Sequence, residues 1–302
     1  MRNEFAQALI SRHKTEPNLV FLTGDLGYFA FEKLREIYQE RFINAGVAEQ
    51  NMISVAAGLA YEGFVPWVYD IAPFALLRPY EQIRNDVCLH NLPVKIVGNG
   101  GGYGYGIMGA THHTLEDIAI MRLLPNMRVY IPLTAEDVET AVNLMAKDPA
   151  PNYLRLNLPA KIDNPIEEFQ QWRLIKPGNK VVVIGVGPVL ENIIKLAGDD
   201  IEVWALGILP VQELPSALIS SIIKKKKVLT IEEHCGQCGL NELMAKQLLA
   251  SGCGDISFRS VHAQGYPDGR VGSQKWLQEQ SGLAGEKLAE TIKELINDRL
   301  DS

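Results

Sequence analysis

The stretch NAGVAEQNMISVAAGL, residues 44–59, decides how this chain is read. A small-residue turn at Ala45 and Gly46 leads into a run that carries Val47, Met52, Val55, Ala56 and Leu59 at helical spacing. That spacing predicts a helix with one face turned inward. Glu49 falls in its first turn, with few polar neighbours to solvate it. A helix N-terminus favours a negative charge, and burial raises the pKa of a carboxyl group. On its own, Glu49 reads either as an acid that complements the helix dipole or as a perturbed carboxyl of a functional site.

Strands and helices alternate on both sides of this stretch. Upstream, residues 3–13 have Phe5, Ala6, Leu9 and Ile10 on one helical face, and NLVFLTGDL (18–26) is a short apolar run closed by Gly24 and Asp25. Such runs suit the buried strands of a parallel sheet. Residues 29–39 suit a helix or an ordered loop. Downstream, FVPWVYDIA, LPVKIVGNG, MRVYIP and NYLRLNLP read as strands, with helices expected at 80–89, 115–123 and 135–146. GGGYGYGIMG (100–109) is too rich in glycine to hold a helix and reads as a loop. Residues 161–180, with Pro165, Pro177 and a charged, glutamine-bearing middle, read as a linker. A second alternating unit follows, from VVVIGVGPVLENIIKLAG to a helix beginning near 285. The expected fold is therefore α/β, with two domains (1–160 and 181–302), each an open, mainly parallel sheet flanked by helices.

Composition excludes several function classes. The chain has 302 residues, 47% hydrophobic and 22% charged, enough for two cored domains and unlike a disordered chain. A net charge of -7 argues against a general nucleic-acid surface, which needs a basic face. No apolar run approaches the ~20 residues that span a bilayer, so no membrane association is expected. The N-terminus lacks the apolar core of a signal peptide. Cys88, Cys235, Cys238 and Cys253 are too few for a disulfide scaffold, which predicts a cytoplasmic protein with reduced thiols. Cys235 and Cys238 have half of a zinc-site spacing with no second pair, so they read as structural, and no metal site is expected in this chain. GVGPVLEN lacks a complete G-x-G-x-x-G and reads as a tight strand-to-helix turn. Lys224–Lys227 reads as a solvated helix end.

NAGVAEQNMISVAAGLAYEGFVPWV and GATHHTLEDIAIMRLLPNMRVYIP (109–132) resemble the pyrimidine-binding domain of the transketolase family of thiamine-diphosphate enzymes. The resemblance continues through TIEEHCGQCGLNELMA, which is similar to a turn and helix of the family's C-terminal domain. It implies that Glu49 hydrogen-bonds the cofactor's aminopyrimidine ring and acts as the catalytic acid. It implies that Phe74 stacks against that ring, as aromatic side chains do on flat heterocycles. Ile71 stands where a second aromatic is common, and Asp25 where the family has an acid near cofactor and substrate. His112 matches a substrate-binding, proton-transferring histidine, with His113 beside it as a further contact. Arg155 matches an arginine that binds sugar phosphate, and Arg2 aligns with another.

Two departures stand out. Ile107 and Met108 replace an acidic pair, and Gly100 replaces a further substrate histidine. An apolar side chain cannot pair with a sugar hydroxyl, so the resemblance implies a non-standard sugar at positions 100 and 108. The family's Gly-Asp-Gly motif, which binds magnesium and the diphosphate, is absent; Gly24-Asp25-Leu26 does not supply it. The expectation is the C-terminal half of a split transketolase, transferring a two-carbon ketol unit between sugars. A partner subunit would carry the diphosphate-binding domain and most of the Mg2+ site, around a self-paired dimer core in a heterotetramer. The alternatives are the beta subunit of a 2-oxo acid dehydrogenase, an enzyme similar to deoxyxylulose-phosphate synthase, or a non-catalytic interaction subunit.

Overall fold

The computed structural model describes residues 1–26, 30–162, 166–266 and 269–298. The start of the element expected at 29–39, the middle of the expected linker (163–165) and the last four residues lie outside the described residues.

Twelve strands are described: β1 (Leu19–Thr23), β2 (Phe42–Asn44), β3 (Val65–Ile71), β4 (Lys95–Asn99), β5 (Arg128–Tyr130), β6 (Asn152–Leu156), β7 (Trp172–Lys176), β8 (Val181–Val186), β9 (Ile201–Leu206), β10 (Ile208–Leu209), β11 (Lys227–Cys235) and β12 (Ser257–Ala263). They form a seven-stranded sheet ordered β10-β5-β6-β4-β3-β1-β2 and a five-stranded sheet ordered β12-β11-β8-β9-β7. All pairings are parallel except β10 with β5 and β7 with β9. Strands β1, β6, β8 and β9 are buried along their full length, as a sheet covered on both faces requires.

The covering helices of the first sheet are α1 (Arg2–Arg12), α2 (Glu32–Tyr38), α3 (Glu49–Tyr61), α4 (Ala72–Leu76), α5 (Tyr80–Gln82), α6 (Asp117–Arg122) and α7 (Asp137–Lys147). Those of the second are α8 (Leu190–Leu196), α9 (Ser216–Lys225), α10 (Leu240–Ala250), α11 (Gln274–Gln280) and α12 (Gly285–Asn297). Alternate residues along β1 feed opposite layers: Leu19 and Phe21 pack with Phe5, Leu9 and Val142, while Val20 and Leu22 pack with Met52, Ile53 and Ala56. The second layer continues without a break into Val182, Ile184, Trp204 and Met244 of the second unit.

Three sequence expectations need correction. The inward face of α3 is Met52, Ile53, Ala56, Ala57 and Ala60, while Val47 is 78% exposed and Val55 is exposed as well. Val47 lies in the turn before the helix begins at Glu49, so it does not share the helical phase. The expected linker contains β7, which pairs antiparallel with β9, and Arg173 on it makes a buried ion pair with Asp137 at 2.6 Å. The region expected as one helix at 80–89 starts as α5 and continues as a π-helical turn over Ile83–Cys88.

Candidate active site

The first sheet positions the site through its connectivity. The chain runs from β1 outward to β2, then returns through α3 to β3 on the other side of β1. Connections that leave on opposite sides open a crevice at the C-terminal ends of the two strands. Gly24 and Asp25 follow β1 there, and Asp70 sits near the end of β3. A side chain at Gly24 would collide with the Asp70 carboxylate, so only glycine lets the two strand ends approach this closely.

Glu49 reaches the crevice from the turn after β2. Asn44 shapes that turn: its Oδ1 accepts from the Gly46 amide at 2.8 Å, and its Nδ2 donates to Asp25 Oδ1 at 3.2 Å. Gly46 has φ +69°, a conformation that glycine adopts without strain. Glu49 then opens α3 only 6% exposed. Arg78, just past α4, donates through Nη1 to Glu49 Oε1 at 2.6 Å. The Arg78 guanidinium also lies over the Phe74 ring, 3.9 Å from its centroid. His112 meets the same ring edge-on at 5.2 Å and keeps its Nδ1 2.9 Å from the Thr111 hydroxyl. Glu49, Phe74 and His112, expected on separate motifs, thus meet in one row through Arg78.

Ile71 caps α4, the helix that carries Phe74, and its amide donates to Asp70 Oδ1 at 2.7 Å. Asp70 is fully buried, and its Oδ2 has no hydrogen-bond partner. Burial pushes its pKa up to about 7, against the pull of the Ile71 amide; the nearby Glu49 charge raises it further and Arg78 lowers it. Met108 and Ile107 are exposed on the short turn Gly106–Met108. At Gly100 a side chain would run into the Tyr105 ring, so Tyr105 occupies the space that a residue at 100 would fill. The Tyr105 hydroxyl accepts from Asn99 Nδ2 at 2.7 Å. Gly100, Tyr105, Asn99 and Asn157 line a cavity of about 450 Å³ that also takes in Arg2.

Two expected substrate contacts face elsewhere. His113 is buried, its Nε2 donating to the Gly106 carbonyl at 2.8 Å and its ring stacked 5.7 Å from Tyr266. Burial lowers its pKa, and the ring supports the glycine loop through the Gly106 carbonyl. Arg155 is 2% exposed: it donates from Nε to Asp117 at 2.7 Å and from Nη2 to the Glu233 carbonyl at 2.9 Å. It lies on interior strand β6 and joins the two sheets, so it presents no free guanidinium to a phosphate. Asp70, Arg78 and Tyr105 were not singled out as site residues by sequence reasoning. The one signal for Asp70 is a lone acid near the end of the apolar run VPWVYDI.

The described groups fit an aminopyrimidine. A buried carboxylate offers an acceptor at one edge, and an aromatic face lies beneath; a flat, N–H-bearing guanidinium already satisfies both. Glu49 and Phe74 thus flank a space that a flat, N–H-bearing group fits.

The family model described as transketolase, pyrimidine binding domain, matches residues 1–159. The chain belongs to the transketolase family, whose members depend on thiamine diphosphate. Within that family it corresponds to the C-terminal half of a split transketolase. It is 34% identical to a putative transketolase C-terminal section of Methanocaldococcus jannaschii, covering 97% of this chain and 95% of that one. It is 29% identical to one of the subunits of the apulose-4-phosphate transketolase of Actinobacillus succinogenes, covering 84% of each chain. Among solved structures it is similar to a split-gene transketolase described as an inactive beta4 tetramer, with a TM-score of 0.82, 28% identity and coverage of 98% and 97%. No helix among the described residues is long and apolar enough to cross a membrane.

Proposed function

We propose that this half of a split transketolase binds the aminopyrimidine of thiamine diphosphate between Glu49 and Phe74. A partner subunit would hold the diphosphate and Mg2+, and the pair would transfer a two-carbon ketol unit between sugars. The observation that carries this reading is the row Glu49–Arg78–Phe74–His112, a buried carboxylate and an aromatic face beside an accessible imidazole. When bound, thiamine diphosphate supplies an electron sink for a carbanion. Glu49 would hydrogen-bond the ring at the edge of the slot and handle its proton there, and Phe74 would stack on the ring's face. His112 donates to a sugar oxygen and moves its proton. Asp25, tied to the Glu49 turn through Asn44, and Ile71, at the head of α4, set the approach to the slot.

Met108 and Ile107 offer apolar atoms where a sugar chain would lie, and Tyr105 takes the space above Gly100. We therefore assign a sugar whose hydroxyl pattern differs from the common pentose and hexose phosphates. The relative named for apulose-4-phosphate supports looking among unusual phosphorylated sugars first. Val55 and Tyr61 of α3, with Leu77 and Leu89, are exposed apolar side chains suited to self-pairing of this chain.

The test is calorimetry with thiamine diphosphate and Mg2+, on this chain alone and mixed with a complementary diphosphate-binding partner. Binding only in the mixture is expected. Glu49→Gln in that mixture should cut turnover about 10²–10⁴-fold, the scale of a lost acid–base group. Full activity in that variant removes the catalytic assignment.

A further inference from the structure

Arg78 stands where the cofactor ring is expected. Its guanidinium presents an N–H edge to Glu49 at 2.6 Å and a flat face to Phe74 at 3.9 Å. Those are the two contacts that the slot offers a planar heterocycle, and one slot cannot hold both groups. The two partners of Arg78 differ from it in exposure. Glu49 is buried, whereas the Arg78 side chain is 45% exposed. The arginine arm can therefore swing into water at little cost, because its charge stays solvated. The Glu49 carboxylate cannot follow it, and a buried acceptor left without a donor is costly. Glu49 thus requires a replacement donor at the moment Arg78 leaves. The Arg78 backbone is held in place meanwhile, because its carbonyl accepts from Gln50 Nε2 at 3.4 Å and Pro79 follows it. Only the side chain needs to move.

We propose that Arg78 is a built-in placeholder: it closes the slot between Glu49 and Phe74 in the cofactor-free chain, and the aminopyrimidine enters by exchanging with it. This rests on the cofactor reading above. The placeholder leaves the empty chain with a satisfied carboxylate and a covered aromatic face. It also makes the apparent affinity for the cofactor lower than the intrinsic one, because the open state is a fraction of the population. Lysine at this position would keep the charge but lose the flat stacking face, since an ammonium is a point charge and a guanidinium is planar.

Two measurements test it. In the first, thiamine diphosphate with Mg2+ is titrated into the complex of this chain with its complementary partner, using wild type, Arg78→Met and Arg78→Lys. The placeholder predicts that Arg78→Met lowers Kd about 3–10-fold, with Arg78→Lys in between. An unchanged or raised Kd in Arg78→Met, with wild type binding normally, overturns the proposal and makes Arg78 a bystander or a cofactor-holding residue. In the second, the full chain alone is melted as wild type, Glu49→Gln, Arg78→Met and the double variant. A closed slot predicts that the double variant's Tm shift departs from the sum of the single shifts by about 2 °C. Additive shifts mean that the slot is not closed by this pair and overturn the proposal. A wild-type complex that binds no cofactor counts against the cofactor reading itself. In that event the melting cycle still decides whether Arg78 and Glu49 are coupled.

Discussion

The two sheets share one strand reversal and put it to different ends. In the first, β1 and β3 part at their C-terminal ends, and the crevice receives Glu49 from α3 and Phe74 from α4. In the second, the chain leaves β8 for β9 and later returns to β11 on the other side of β8, which opens an equivalent crevice. That crevice is filled. Glu233 of β11 accepts from the Tyr103 amide at 2.6 Å and from Gln274 at 2.9 Å, and Gln278 donates to it as well. Arg155 closes on its carbonyl from the first unit. A side chain at Gly102 would collide with Glu233, so the glycine loop lies directly on the carboxylate. The lesson is that a strand reversal makes a gap, and its neighbours decide whether the gap stays open or seats another part of the same chain.

The comparison breaks most visibly at Arg155. Arg155→Met leaves Asp117 buried without its ion-pair partner, which should cost about 3–5 kcal/mol in urea unfolding of the chain. A stable variant with weakened sugar binding would instead return Arg155 to the active site and collapse the contrast between the two crevices. Asp70 gives the next largest effect. Its folded pKa is pushed up to about 7, from an ordinary 3.8. Between those values the folded chain keeps a proton that the unfolded chain has released. Stability should therefore fall as pH rises from about 4 to about 7 and level off above, by on the order of 2–4 kcal/mol. Asp70→Asn should remove its share of that slope in denaturation curves taken across the window, leaving the part due to Glu232, which burial also pushes up to about 7; an undiminished slope would assign it wholly to other groups. The paired histidines sharpen the contrast on the smallest scale. His113→Gln should lower stability by about 1 kcal/mol and leave KM alone. His112→Gln should leave stability alone and lower kcat/KM about tenfold. Swapped outcomes would exchange their roles.

Much of the fold was legible because buried parallel strands are written as unbroken apolar runs such as LVFLT and VVVIGV, with helices between them. The placement of Glu49 at the head of α3 was legible because the motif fixes it relative to the turn before it. The site was not legible where roles depend on which way a side chain leaves a strand or loop. His112 and His113 are adjacent, and only the folded loop turns one outward and packs the other against Tyr266. Arg155 reads as a surface charge or a phosphate ligand until Asp117 is seen beside it, 38 residues away in sequence. Arg78 lies only four residues after Phe74, but its ion-pair partner Glu49 comes from the start of α3, 29 residues upstream, which no local pattern announces. Strand β7 was hidden among prolines and charges, since an antiparallel edge strand needs little apolar patterning.

Strand β10 bears on how far the molecule can be taken apart. Ile208 and Leu209 belong by sequence to the second unit, yet they pair with Tyr130 and Val129 and finish the edge of the first sheet. A fragment ended at residue 160 would leave β5 with a bare row of amides and carbonyls, the kind of edge that recruits strands from other molecules. The two sheets are therefore poor modules: recombining either with a foreign partner invites aggregation unless the short Gly207–Leu209 segment travels with the first sheet or the exposed edge is blocked.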